Sequence, residues 1–358
     1  MRVYTAASPH ASNCRVASKH STTATTLPVG WTEIELGAPP PQLEHTSAAA
    51  DTQQVTALVR LHGKPLGVFA LDVSMDSAWS AHSATVWTAL RTRIRDHLIA
   101  DGLPCRDGME SLAIAPDSVP RCIRQRSAVL KDPTQITVVV ATRERPEALR
   151  VCLDGLLQQD YPRFEVVVVD NAPDTAETAK LIASRFYPRV QYVREPRHGT
   201  AWAYNRGLHA ARGKIIAFVD DDVIADRCWL TGVAEGFASD SDVRCVTGPT
   251  LPTKLSAQAQ MVLERQGRGG EGFEQRIFDP AVDRPGDSLF MFAAGRYSSA
   301  MNVAFDTALL RRLGGVSHVR EIGRFTRGGK DLSAFSRIVL EHRVLYQPTA
   351  MVWSSASL

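Results

Sequence analysis

Three consecutive aspartates, Asp220, Asp221 and Asp222, follow the apolar run from Lys214 to Val219. Carboxylates set side by side repel one another unless positive charge sits among them. Oxygen-only ligands at the end of a buried strand suit a hard divalent cation, Mg²⁺ or Mn²⁺, which in turn holds phosphate oxygens. A solvated acidic turn is the other reading of such a triplet. Further groups gather at comparable places. Thr142 and Arg143 end one β-branched run, with Arg145 just beyond, and Asp170 ends the next. An aspartate there either accepts a hydrogen bond from a base or ribose, or caps a turn. Arginines after a strand either meet phosphate or stand in solvent. Asp331, after Gly328 and Gly329, is either a general base or a helix cap.

The elements that must carry these groups alternate strand and helix. Strand patterns cover 136–142, 164–170, 190–194, 214–219 and 243–247, and helical patterns cover 146–157, 174–186, 200–211 and 227–237. β-branched runs split by helices predict a mostly parallel central sheet with helices on both faces. Ligands then bind along the strand C-termini. Neither a G-x-G-x-x-G turn nor a P-loop follows the first of these strands, so a nucleotide needs another device, such as carboxylates with a metal.

Upstream, 55–61 and 66–72 read as two strands around a His62-Gly63-Lys64-Pro65 turn, and 84–100 as an amphipathic helix. The organisation expected is a disordered, Ser/Thr/Ala-rich 1–28, a small α+β module with linker over 29–131, the linker running from 104 to 131, and an α/β domain over 132–358. A net charge of +3 over 358 residues, without a Lys/Arg block, argues against nucleic acid as a partner. The six cysteines lack C-x-x-C spacing and read as thiols of a reducing cytosol, not as disulfides or a zinc site. No apolar stretch reaches the ~20 residues that span a bilayer. A cytoplasmic protein is expected, with peripheral contact at the inner face of a membrane left open.

In order and spacing, Val138 to Pro146, Val167 to Asn171, Asn205-Arg206-Gly207, Phe218 to Asp222, Gly328 to Asp331 and Tyr346 to Trp353 resemble the family 2 inverting glycosyltransferases of the GT-A fold. The N-terminal module is similar to an extension of some actinobacterial members. The resemblance implies that Thr142, Arg143 and Asp170 grip the nucleoside, with Asp220 and Asp221 completing the nucleotide-binding set. It implies that Asp222, with Asp220, holds Mn²⁺ or Mg²⁺ against the diphosphate, and that Asp331 is the base. The donor would be a UDP-, GDP- or dTDP-sugar and the acceptor a hydroxyl of a glycan, lipid or small molecule. Three positions depart from the pattern. Lys330 stands where the family usually has Glu, Ser333 where a second acid is common, and Ser354 where a metal-ligating His often follows Val-Trp. They keep open an alternative, a truncated or degenerate relative that binds nucleotide-sugar or a partner without efficient catalysis.

Overall fold

Two valine-rich runs, 136–142 and 164–171, alternate their side chains between two hydrophobic cores, and the sheet they found carries the rest of the domain. The computed structural model describes residues 28, 30–38, 54–72, 79–104, 108, 112, 118–253, 272–283, 302–316 and 333–354. The expectations for residues 1–27, and for Asp331 and its neighbours 328–330, lie outside the described residues.

The first part of the chain holds β1 (Trp31–Glu35), β2 (Gln54–Leu61), β3 (Lys64–Asp72) and α1 (Trp79–Ala100). β2 and β3 form the expected hairpin, and β1 adds in parallel to β2. Val86, Leu90, Ile94 and Leu98 line one face of α1 and are buried with Ala57, Val59 and Leu61. Where sequence suggested a linker, Arg121–Lys131 forms a helix, α2. Its polar composition hid it: only Cys122 and Arg126 are buried, so little apolar periodicity marks its inner face.

The domain that follows comprises β4 (Ile136–Thr142), α3 (Pro146–Leu156), β5 (Phe164–Asn171), α4 (Glu177–Leu181, continued by a π-helical turn to Phe186), β6 (Val190–Glu195), α5 (Thr200–Ala210) and β7 (Ile215–Asp220). Then come β8 (Val223–Ala225), α6 (Trp229–Ser239), β9 (Val243–Thr247), β10 (Thr250–Pro252), β11 (Arg276–Phe278), β12 (Asn302–Asp306), α7 (Thr307–Arg312), α8 (Ser333–Glu341), β13 (Arg343–Tyr346) and β14 (Val352–Ser354). Eight strands make one sheet in the order β11-β13-β9-β12-β7-β4-β5-β6. β7, β4, β5 and β6 are parallel neighbours, while β12 enters antiparallel between β7 and β9. Alternate residues face opposite layers: Val138 and Val140 pack with residues of α3 and α6, and Val139 with residues of α5 and α7. Among the described residues no helix is long and apolar enough to cross a membrane.

Gly207 shows why Asn205-Arg206-Gly207 has its form. A Cβ at Gly207 would run into the side chain of Val139, so only glycine lets α5 lie this close to β4. Asn205, on the same helix, accepts from the Val316 N–H (2.8 Å) and donates to its carbonyl (2.7 Å), tying α5 to the chain beyond α7. Gly207→Ala is expected to lose about 1–3 kcal/mol by overpacking, read as a lower urea midpoint at unchanged slope. An unchanged midpoint would show that the contact is not tight.

The N-terminal sheet docks on the same domain. Trp31 and Leu58 bury against Leu251, Met351 and Trp353, with Trp31 edge-on to Trp353 at 5.9 Å. Beside this apolar contact the buried Arg60 of β2 pairs with Asp226, one residue past β8, and lies 3.3 Å from Glu33. On the other flank Arg126 of α2 donates to Glu235 of α6 at 2.9 Å.

Candidate functional site

The strand registers bring the predicted residues to one edge. Thr142 lies opposite Asp170 across β4 and β5, and Ala141 opposite Asp220 across β4 and β7. Parallel strands ending level leave their C-terminal residues in a row, which is where α/β sheets bind ligands. α3 begins at once after β4 with Pro146 in its first turn, so Arg145 is carried over the end of β7.

The three aspartates have different surroundings. Asp221 is buried, and its carboxylate accepts from the Thr142 hydroxyl (2.7 Å) and from Arg145 Nη1 (2.7 Å). Burial raises its pKa, and the nearby Asp222 and Asp220 add to that, against the lowering effect of Thr142 and Arg145. Asp222 is half-buried; its Oδ2 accepts from Arg145 Nη2 at 3.0 Å, while its Oδ1 is buried without a hydrogen-bond partner. Asp220 accepts from the hydroxyl of the buried Tyr204 at 3.3 Å. The positive charge that the triplet needs is supplied in part by Arg145, whose guanidinium bridges Asp221 and Asp222.

Within the triplet, Asp222 Oδ1 is the buried oxygen that no protein group reaches with a hydrogen bond. A buried carboxylate oxygen without a donor is unfavourable. The donor set around it is carboxylate oxygen, which fits Mn²⁺ or Mg²⁺ and not a soft metal. Asp222 and Asp220 therefore fit a divalent cation, whereas Asp221 is turned back into the protein.

Asp170 is fully buried at the end of β5. Tyr192 donates its hydroxyl to Oδ2 at 2.8 Å, and Oδ1 has no partner. Desolvation raises its pKa and outweighs the Tyr192 hydrogen bond. Because the folded value lies above the unfolded one, the folded chain binds the extra proton between them. Stability from this group is complete below about pH 4 and is lost as pH rises through the raised folded pKa. Asp170→Asn is expected to raise the Tm at pH 7 and to leave it unchanged below about pH 4. A Tm equal to wild type at both pH values would remove the account of Asp170 as a site residue held against its own solvation.

Arg143 and Arg145 are both exposed, but Arg143 reaches Asp174 at 3.2 Å whereas Arg145 reaches the aspartate triplet. The intervening Glu144 has a left-handed φ of 52° and accepts from the backbone N–H groups of Asp174 and Thr175, fixing the two loops together. Asn171 holds the loop before α5: it donates to the Arg197 carbonyl (2.7 Å) and accepts from the Gly199 N–H (3.0 Å). In that loop the Arg197 guanidinium stacks 3.5 Å from the centre of the Trp202 ring.

Sequence reasoning gave no place at the acidic cluster to Tyr204, and none to Arg145 as the clasp on two aspartates. The basic residue three positions past β4 was visible, but its direction depends on where α3 starts. The C-terminal strand also has a function in the fold: β14 pairs with β8, placing Ser354 opposite Val223, beside Asp222.

Residues 137–280 match the family model described as Glycosyl transferase family 2. Among curated proteins, the chain is 26% identical over 118 residues to "Uncharacterized glycosyltransferase YibD" of Escherichia coli, covering 32% of this chain and 34% of that protein. It is 24% identical over 133 residues to the "Glucosyl-dolichyl phosphate glucuronosyltransferase" of Haloferax volcanii, covering 36% and 42%. The chain thus spans less than half the length of either relative. Among solved structures it is similar to a Pyrobaculum calidifontis mannosyltransferase in complex with GDP-Man and Mn²⁺, with a TM-score of 0.43, 21% identity, and coverage of 65% of this chain and 63% of that one. It is also similar to S. aureus TarS in complex with UDP-GlcNAc, with a TM-score of 0.45, 16% identity, and coverage of 63% and 59%.

Proposed function

We propose that the chain, whose residues 137–280 match the family model Glycosyl transferase family 2 and whose central sheet is mixed, is a metal-dependent inverting glycosyltransferase of the GT-A fold. It would take a sugar from a nucleoside-diphosphate donor and place it on a hydroxyl acceptor. The observation that supports this reading most is the pair of orphaned carboxylate oxygens, Asp170 Oδ1 and Asp222 Oδ1, at the ends of β5 and β7, the two strands that flank β4. One is suited to a hydrogen-bond donor on a base or ribose, the other to a cation on the diphosphate.

Asp170, with Thr142 behind it, positions the nucleoside at the β4–β5 edge. Asn171 tethers the β6–α5 loop beside it through the contacts to Arg197 and Gly199. When bound, Mn²⁺ or Mg²⁺ on Asp222 and Asp220 stabilises negative charge on the leaving diphosphate. Arg145 holds Asp221 and Asp222 in their present orientation and reduces the repulsion within the triplet. Asp331 accepts the acceptor's hydroxyl proton as the new bond forms between that oxygen and the anomeric carbon. The bond from the anomeric carbon to the diphosphate oxygen breaks in the same displacement, which inverts the centre.

The test is a thermal-shift panel of UDP-, GDP- and dTDP-sugars with and without Mn²⁺, followed by transfer assays on the donor that stabilises. Cation-dependent stabilisation by one donor class is expected, and the product should have the anomeric configuration opposite to the donor's. A product with retained configuration would overturn the inverting reading. Asp331→Asn is expected to lower transfer by about 10²–10⁴-fold while leaving donor binding in place, since it removes a base and not a binding group. Transfer at the wild-type rate would exclude Asp331 as the base.

A further inference from the structure

Away from the strand-end site, four side chains of metal-binding type meet in the N-terminal part of the fold: His62, His97, Asp101 and Cys122. Their ligand atoms all lie within 4.8 Å of one another. His62 Nδ1 is 2.8 Å and His97 Nε2 3.2 Å from Asp101 Oδ2, and Cys122 Sγ is 2.9 Å from the same oxygen. The two imidazole nitrogens are 3.1 Å apart, and Cys122 Sγ is 3.9 Å from His97 Nε2. His62 comes from the β2–β3 turn, His97 from the last turn of α1, Asp101 from just beyond it, and Cys122 from the first turn of α2. We propose that these four residues form a structural zinc site.

The geometry favours an ion over a plain hydrogen-bond cluster. One carboxylate oxygen would otherwise receive three protons from three directions, while two imidazole nitrogens face each other at hydrogen-bond range. Four lone pairs directed at one centre are what a tetrahedral cation needs. With zinc–nitrogen and zinc–oxygen bonds of about 2.0–2.2 Å and a zinc–sulfur bond of about 2.3 Å, the edges of such a tetrahedron are about 3.3–3.8 Å. Four of the five separations lie a little below that range and one a little above it, so an ion needs the ligand atoms to open by a few tenths of an ångström. Imidazole and thiolate with one carboxylate suit zinc and exclude magnesium or calcium.

The backbone that carries His62 and the second oxygen of Asp101 are also held by hydrogen bonds, while His62 Nε2, the ring nitrogen away from the cluster, has no protein partner. His62 sits at a left-handed φ of 54°, fixed because its N–H and that of Gly63 donate to the two oxygens of Glu35 at 2.8 and 2.9 Å. Its carbonyl accepts from Arg126 Nη1 at 3.2 Å. Asp101 keeps Oδ2 for the cluster because Oδ1 already accepts the Cys122 N–H at 2.9 Å. The side chains of His62, His97 and Asp101 are 1%, 9% and 4% exposed, and Cys122 is buried, so no open coordination position faces solvent. A closed four-ligand site is the structural kind. It would clip the hairpin, α1 and α2 together, and through Arg126 and Glu235 tie them to α6.

The test uses the full-length chain stripped of metal by a chelator and titrated with Co²⁺ and with Zn²⁺. Cobalt is expected to give a thiolate-to-metal charge-transfer band and the strong visible bands of tetrahedral coordination, saturating at about one equivalent per chain. Zinc should displace it and raise the Tm. Cys122→Ser should lose the charge-transfer band, and His97→Gln should weaken binding at least tenfold. Asp222→Ala should leave the cobalt spectrum as it is, which separates this site from the one at the strand ends. If the variants do not fold, the wild-type spectrum decides alone: weakly absorbing cobalt without a charge-transfer band overturns the proposal. A band that survives in Cys122→Ser overturns it equally.

Discussion

Asp222→Ala is expected to abolish the Mn²⁺-dependent part of nucleoside diphosphate binding and to lower transfer by about 10²–10³-fold, the scale of losing one group directed at developing charge. The reason is local. Asp222 is the aspartate of the triplet whose Oδ1 is buried without a hydrogen-bond partner. Its neighbour Asp221 keeps both Thr142 and Arg145 after the change, so the turn at the end of β7 retains its anchor. The measurement is calorimetry of nucleoside diphosphate with and without Mn²⁺, beside transfer rates. An unaltered fold, checked by circular dichroism, with unaltered cation dependence would remove Asp222 from the metal site. The companion variant Asp221→Asn separates the roles. It should reduce stability, through weaker contacts to Arg145 and Thr142, more than it reduces cation dependence.

Arg60→Ala is expected to cost about 3–5 kcal/mol, because it leaves the buried Asp226 without its cation. The surroundings are severe for any charge. Burial works against ionisation of Arg60, and Asp226 and Glu33 outweigh it and hold the guanidinium firmly charged. Glu33, on the more exposed side of the arginine, has its pKa raised by partial desolvation despite that neighbour. Asp226 also accepts the Cys228 N–H at 2.9 Å at the start of α6, so its disturbance reaches the loop that follows β8. Guanidinium chloride unfolding of Arg60→Ala, Asp226→Asn and the double variant gives the coupling. The double variant should be more stable than Arg60→Ala alone, since neutralising Asp226 removes the orphaned charge. A loss below 1 kcal/mol in Arg60→Ala would mean that the N-terminal sheet is held by the Trp31–Trp353 contact and not by the ion pair.

Much of the sheet was legible because its strands are buried on both faces. Such strands read as unbroken β-branched runs, and those at 136–142, 164–171 and 243–247 lie within a residue of where the pattern puts them. Their parallel order followed from the intervening helices, and with it the placing of Thr142, Asp170 and the aspartates on one edge. The short strands were not legible. β8, β10, β11 and β14 have three residues each, too few to show a period, and exist because a neighbouring strand supplies their hydrogen bonds. β12 was not among the strands expected, and its antiparallel entry between β7 and β9 is set by tertiary packing. α2 was read as linker because a helix held by ion pairs and a buried arginine leaves little hydrophobic signature.

Cys122 shows the same limit at a finer scale. Spacing along the chain argued against a metal site, and within the chain that argument holds: 62, 97, 101 and 122 obey no metal-binding pattern. Only His97 and Asp101, four apart along one helix and its last turn, had a spacing that could have raised the question.

What the sequence alone determined is the chemistry offered at the strand ends, since residue type and strand termination place carboxylates there whatever the loops do. What tertiary structure decided is how that chemistry is divided. Arg145 and Thr142 turn Asp221 inward and leave Asp222 Oδ1 without a protein hydrogen-bond partner, a distinction among three identical neighbours that no linear pattern carries. Likewise four ligand-type side chains scattered over sixty residues become one cluster only when a turn and two helices pack. Local sequence sets which elements form, whereas the direction in which a side chain points depends on contacts from segments distant in the chain.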